Sequence, residues 1–134
     1  MTNAQTKRCR WKEVLLGIGC LLILVGLMAF GLVSFSIGRD VRSVSELAIQ
    51  CYGGYSVEAL ICRVEDANES LREINHAVWA LGQLGDRRAL PALRKHYTGQ
   101  PCDHAKELCQ RELAKAIRLI DGGINAAAWI WRGQ

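Results

Sequence analysis

Cysteine and histidine are the residues of this chain best equipped for chemistry: six cysteines and three histidines in 134 residues. Cys51, Cys62, Cys102 and Cys109 lie in the body of the chain, while Cys9 and Cys20 lie in its N-terminal region. An even number of cysteines in a small body suits a disulfide framework in an oxidising compartment. The simplest pairing is local, Cys51 with Cys62 and Cys102 with Cys109. Two cysteines seven apart on one continuous helix stand about 10 Å apart along its axis, too far to bridge. A 102–109 bond therefore requires Cys102 to lie outside a helix, which Pro101 allows. The competing reading is four reduced thiols serving as small core residues.

His96, Cys102, His104 and Cys109 contain zinc-ligand types, but their spacing, H-x5-C-x-H-x4-C, matches no established ligand pattern. Cys109 and His104 form a conceivable nucleophile–base dyad with no supporting motif. There is no C-x-x-C-H, no G-x-S-x-G and no glycine-rich phosphate loop. No catalytic residue, metal or cofactor is expected, and the chain does not read as an enzyme.

What must position these residues begins with Val14 to Ile37, an apolar run without a charged side chain. As a helix, about 24 residues cover about 36 Å, more than the roughly 30 Å of bilayer hydrocarbon. Only a helix carries a single segment through lipid, because it satisfies its own backbone hydrogen bonds. A signal-peptide apolar region spans about 7–15 residues, so this run reads as an uncleaved anchor, although Ser34-Phe35-Ser36 resembles a small-x-small cleavage site.

The net charge of +4 dissolves when divided by position. Lys7, Arg8, Arg10 and Lys12 against Glu13 give +3 before the run, leaving 13 basic against 12 acidic residues in the rest. The basic excess is a membrane flank, and no nucleic-acid partner is expected. Four Lys/Arg before the run against Arg39 and Arg42 after it predict a cytoplasmic N-terminus, with Trp11 as interfacial anchor. The expected place is a bacterial inner membrane, with the C-terminal body periplasmic. The expected divisions are a basic cytoplasmic tail (1–13), a transmembrane helix (14–37), a juxtamembrane linker (38–42) and a helical domain (43–134).

The body reads as helix after helix. Ser43-Val44-Ser45-Glu46 and Ser70-Leu71-Arg72-Glu73 have capping-box spacing. Leu71, Ile74, Ala77, Val78, Leu81 and Leu84 form one apolar stripe that Gly85-Asp86 ends. Pro91 falls in the first turn of the next helix, which runs to about Tyr97. Asp103 reads as the N-cap of a helix through Ile120, with Ala105, Leu108, Cys109, Leu113, Ala116, Ile117 and Ile120 inward. Asp121-Gly122-Gly123 stops it, and 124–131 forms a last short amphipathic piece. Ala59-Leu60 recurs as Ala92-Leu93 at a spacing of 33, and Leu84-Gly85-Asp86 lies 36 before Ile120-Asp121-Gly122. Three helical hairpins emerge, about 43–65, 70–97 and 103–131, which share a core only when stacked.

Ala77-Val78-Trp79-Ala80-Leu81-Gly82-Gln83-Leu84-Gly85-Asp86-Arg87-Arg88-Ala89-Leu90-Pro91-Ala92-Leu93 resembles the HEAT-like repeat of the phycobilin-lyase type. The resemblance covers one unit, about 70–97, and is faint in its neighbours. It implies an α-solenoid fragment, and together with the apolar run the expectation is an all-α chain: one N-terminal transmembrane helix followed by a short α-solenoid of about three HEAT-like hairpins. It also implies a scaffold for protein contacts. Nothing matches an additional lyase element, and the His-Glu pairs of HEAT-repeat hydroxylases are absent, since Ala, Tyr and Ala follow His76, His96 and His104.

The candidate partner surface comprises Trp79, Arg87, Arg88, Arg94, Lys95, Trp129 and Trp131. Trp79 points roughly 150° from the centre of its helix's apolar stripe, which suits packing between repeats or display as an interface anchor. Arg87, Arg88, Arg94 and Lys95 make a basic ridge for an acidic partner or anionic lipid, or a solvated face. Trp129-Ile130-Trp131 caps the last repeat, dips into the membrane interface or docks on a partner. The expected function is a membrane-anchored interaction module, an accessory or scaffold subunit of a membrane complex, with the bilayer and a protein as partners. The alternative is a disulfide- or metal-bearing redox accessory of the cell envelope.

Overall fold

The computed structural model describes residues 3–103 and 106–132, with side chains for Trp11 and from Glu13 onward. The side chains of Lys7, Arg8, Cys9, Arg10 and Lys12, and His104 and Ala105 altogether, lie outside the described residues. Among the described residues six helices follow one another: α1 (Asn3–Tyr52), α2 (Ser56–Glu65), α3 (Leu71–Leu84), α4 (Leu90–His96), α5 (Gln110–Ile120) and α6 (Ala128–Trp131). A 3₁₀ turn, Arg87–Ala89, leads into α4, and no strand occurs among the described residues.

The largest departure from expectation is α1, a single helix of 50 residues. Residues 38–42 are helical, and the Ser43–Glu46 capping box starts nothing. Its motif is spent mid-helix because the helix arriving from residue 37 is already nucleated, and extension adds a hydrogen bond for each residue ordered. Gly38 alone does not stop it, at a propensity cost of about 1 kcal/mol. The two ends of α1 differ completely in burial. Its most apolar 18-residue window has mean hydropathy 2.6 and no buried residue. That makes it long and apolar enough to cross a membrane. From Ser34 onward one face turns inward, through Gly38, Val41, Ser45 and Ala48. Spacings of four and three keep these positions on one side of a helix. Their small size lets neighbours approach closely.

That inner face is the first helix of the first hairpin, with α2 as its return. Helix α3 and the 3₁₀–α4 arm form the second hairpin, and α5 with α6 the third. The core joins Val41 and Ala48 of α1 to Leu60 and Val64 of α2, Val78 and Leu81 of α3, Leu93 of α4 and Leu113 of α5. The internal repeat is real at its anchor points. Ala59-Leu60 and Ala92-Leu93 are buried at matching places in α2 and α4. Gly85 and Asp121 cap α3 and α5, Gly85 in the left-handed region at φ 69°. Ser70 Oγ accepts the Glu73 N–H at 3.2 Å as the N-cap of α3, and Pro91 sits in the first turn of α4. The box at Ser70 is half-formed, because the Glu73 carboxylate faces Arg63, 3.8 Å away, rather than reaching back.

The third hairpin departs most. Helix α5 starts at Gln110, not 103. One turn closes on the Asp103 carbonyl, which accepts from Lys106 and Glu107, and the chain then extends to Cys109. Tertiary bonds override helix propensity here. The Asn75 carboxamide takes the Cys109 N–H at 3.1 Å, and the Gln110 side chain accepts from Thr98 N and donates to the His96 carbonyl. The last helix shrinks to Ala128–Trp131, because Asn125 Oδ1 caps Ala128 at 3.1 Å and closes a turn instead.

Helix α6 returns to α1, and Trp131 lies directly on Gly38. In a linear array each repeat touches only its neighbours. Here the third hairpin reaches back to the first, so the three units close into a bundle around the base of α1.

Candidate interaction surfaces

Of the basic residues expected to meet a partner, three, Arg88, Arg94 and Lys95, instead pair with acids on other hairpins. Arg88 is held by Asp86 of its own turn, at 2.7 Å, and pairs with Glu58 of α2. Lys95 reaches Glu65 of α2 at 3.1 Å, and Arg94 reaches Asp121 beyond α5 at 3.0 Å. Arg87 alone has no ion-pair partner among the described residues. The guanidinium beside Asp86 holds that carboxyl below the usual range, and the Arg88 backbone N–H adds to the shift. The ridge is therefore nearly neutralised. These pairs are exposed, and each contributes little to stability.

The tryptophans divide. Trp79 is half-buried against the core and opens a groove of about 410 Å³ with Gln83, Glu112, Lys115, Ala116 and Leu119, between α3 and α5. It is material for packing between repeats with one edge showing. Trp131 is 8 % exposed and closes the bundle, whereas Trp129 is 92 % exposed. Ile124, 93 % exposed, precedes it. The terminal unit thus caps with one indole and displays the other.

The four body cysteines form no disulfide. The expectation of Cys51–Cys62 and Cys102–Cys109 bridges is corrected, for geometric reasons. Cys51 Sγ accepts from Arg63 Nη2 at 3.7 Å, so Arg63 is the α2 residue that faces the end of α1. Its neighbour Cys62, turned about 100° around the helix, is left exposed. Cys102 Sγ accepts the Gln110 N–H at 3.2 Å, serving the first turn of α5 instead of a partner sulfur. Cysteine pairing thus gives no support to an oxidising compartment. Among the described residues no group of three or more His, Cys, Asp or Glu side chains is placed to hold a metal ion.

Several structural determinants were not singled out from sequence. Arg63 is 5 % exposed inside the first hairpin, with Nε 3.2 Å from Glu69 and its guanidinium 5.9 Å above the Tyr52 ring. Its position three residues after Leu60 on the inward stripe was the available signal. Beside it Tyr52 donates to Asp66 at 2.7 Å. That bond, first among several causes, pushes the phenol up to about 12. Asp66 is held below its ordinary range, first by the Asn68 N–H and then by the Tyr52 hydroxyl. Gly38 and Gly82 are the other two. A Cβ on Gly38 would stand 2.8 Å from Trp131, and one on Gly82 2.8 Å from the Ala116 Cα. A glycine inside an otherwise strong helical stripe was the signal at both.

A bundle of stacked helical hairpins with matching buried positions defines the class, a helical-repeat protein. Residues 75–98, the end of whose first helix and whose return arm form the central hairpin, match the family model of the PBS lyase HEAT-like repeat. The chain therefore carries a HEAT-like repeat where its sequence resembled one. No curated protein and no solved structure matches the chain.

Proposed function

We propose that this chain is a membrane-anchored protein–protein interaction module, an accessory or scaffold subunit of a membrane complex, and not an enzyme. The observation that carries the reading is α1 itself. Its apolar half is buried against nothing, and the same helix becomes the first wall of the repeat bundle without a break. The apolar helix through residues 14–33 has no buried residue and needs lipid around it, and a rigid helical continuation holds the bundle at a fixed height above it. HEAT-like repeats serve as surfaces for other proteins, and two features of this bundle suit that use. One is the groove beside Trp79, where Lys115 and Glu112 pair at 2.9 Å. The other is the displayed Trp129, a residue type enriched in interface anchors.

On this reading the basic flank before α1's apolar run keeps the N-terminus in the cytoplasm and the bundle on the outer side of a bacterial inner membrane. The orientation rests on charge bias alone, four Lys/Arg against two. The test is purification of the tagged full chain from membranes in a mild detergent. A discrete protein should co-purify in fixed ratio, and substitution of Trp129 by Ser or Lys115 by Glu should release it. A chain that emerges alone and monomeric would end the accessory-subunit reading.

A further inference from the structure

A cleft of about 430 Å³ opens where the bundle meets the end of the apolar run, walled by Val41, Arg42, Ser45 and Glu46 of α1 and by Trp131 and Arg132. Its height follows from the helix. The apolar run ends at Ile37, and Arg42 and Ser45 stand about 7–12 Å further along the axis. The headgroup layer of one leaflet is roughly 5–8 Å thick. The mouth of the cleft therefore opens within or just above that layer, on the reading that α1 spans the membrane.

Its chemistry is one-sided. Trp131 Nε1 and Ser45 Oγ are buried and have no hydrogen-bond partner among the described residues. The two side chains are 8 % and 5 % exposed. An indole N–H only donates, and a hydroxyl in the same wall donates as readily as it accepts. Arg42 has no ion-pair partner among the described residues, and Arg132 spends Nε on the Gln83 carbonyl at 2.8 Å, with Nη2 on the same oxygen. Nη1 of Arg132 is left for another acceptor. Glu46 is the single acid on the walls, so the cleft is net positive. Orphaned donors flanked by two guanidinium groups call for an oxyanion.

We propose that this cleft seats the phosphate of a membrane phospholipid headgroup, with Arg42 and Arg132 supplying charge and Ser45 and Trp131 supplying hydrogen bonds. The shared chemistry would also suit free phosphate; the location at the membrane face favours the lipid. Seating a headgroup there would lock the base of the bundle to the leaflet and fix the bundle's rotation about α1.

The experiment melts the full chain in a non-ionic detergent and titrates three probes. These are dioleoylphosphatidylglycerol, dioleoylglycerol with the same chains but no phosphate, and inorganic phosphate. Phosphatidylglycerol should raise the melting temperature saturably, and dioleoylglycerol should not. Arg42→Gln and Trp131→Phe should each weaken the apparent affinity by about tenfold. Arg42 is exposed, so its loss does not unfold the chain. Equal shifts with the two lipids, or wild-type affinity in both variants, would overturn the site. Inorganic phosphate reproducing the full shift at the same concentration would overturn the lipid assignment. Release of the chain from membranes by alkaline carbonate would instead sink the anchor reading. A chain that stays with membranes yet shows no phosphate dependence sinks the cleft alone.

Discussion

Gly82 gives the sharpest test of how the hairpins stack. It lies inside α3 where that helix crosses α5, and an added Cβ would stand 2.8 Å from the Cα and 2.9 Å from the Cβ of Ala116. Ordinary carbon–carbon contact is about 3.5–4.0 Å, so Gly82→Ala forces the two helices apart by roughly 1 Å. Two effects oppose each other. Replacing glycine by alanine in a helix gains about 1 kcal/mol of propensity. Overpacking a tight interface costs about 1–3 kcal/mol. The nearest atom is backbone, which cannot rotate away, so the cost lies in the upper part of that range. The net expectation is destabilisation by about 1–2 kcal/mol. For a domain of this size each kcal/mol lowers the midpoint by about 4–8 °C. Thermal melting of the full chain in detergent, followed by circular dichroism, should show Gly82→Ala melting at least about 4 °C below wild type. A melting temperature equal to or above wild type would mean that α3 and α5 do not meet at Gly82, and the stacking described here would be wrong.

Trp131→Ala should destabilise the bundle by about 3–5 kcal/mol, because it empties the cap on Gly38. Trp129→Ala should stay within about 0.5 kcal/mol in the same melts, and equal effects would contradict the division between the two indoles. In alkaline titration followed by ultraviolet absorbance, one phenol should ionise near pH 12 and disappear in Tyr52→Phe. A raised folded pKa gives stability that is complete below the phenol's ordinary value of 10.0 and is lost as pH rises from there towards 12. Asp66 works in the opposite sense: its lowered pKa stabilises above 3.8, and the contribution fades as pH falls through the folded value, so a pH series on Asp66→Asn should show a flatter acid limb. Without any reductant, Cys51 and Cys62 should take up a polar maleimide, read by intact mass, whereas thiols that appear only after reduction would restore the disulfide framework.

Much of this architecture was legible because it is written in periodicity. The stripe along α3, the caps at Ser70 and Gly85, the proline opening α4 and the Asp121 stop all depend on local backbone chemistry. They appear where the residues place them. The central repeat was legible for the same reason, since Ala92-Leu93 and Ala59-Leu60 do equivalent work. What failed depended on competition between neighbours. The Ser43 box lost to a helix already running through it. The Asp103 cap lost to Asn75 and Gln110, which are distant in sequence and bind the loop into an extended path. Cysteine pairing failed because spacing says nothing about which face of α2 turns inward, and Arg63 takes that face. Of the candidate surface, the basic ridge was visible as charge, but apart from Asp86 its acidic partners, Glu58, Asp121 and Glu65, sit on other hairpins, 27–30 residues away in sequence. The closure of α6 onto α1 had only Gly38 as its sign.

The central claim is that α1 carries the bundle on an uncleaved membrane anchor. It is tested most directly by the intact mass of the chain recovered from carbonate-washed membranes. The account predicts recovery in the membrane fraction with residues 14–37 present, unprocessed after Ser36. Recovery in the soluble fraction, or a chain shortened to begin just beyond Ser36, would contradict it.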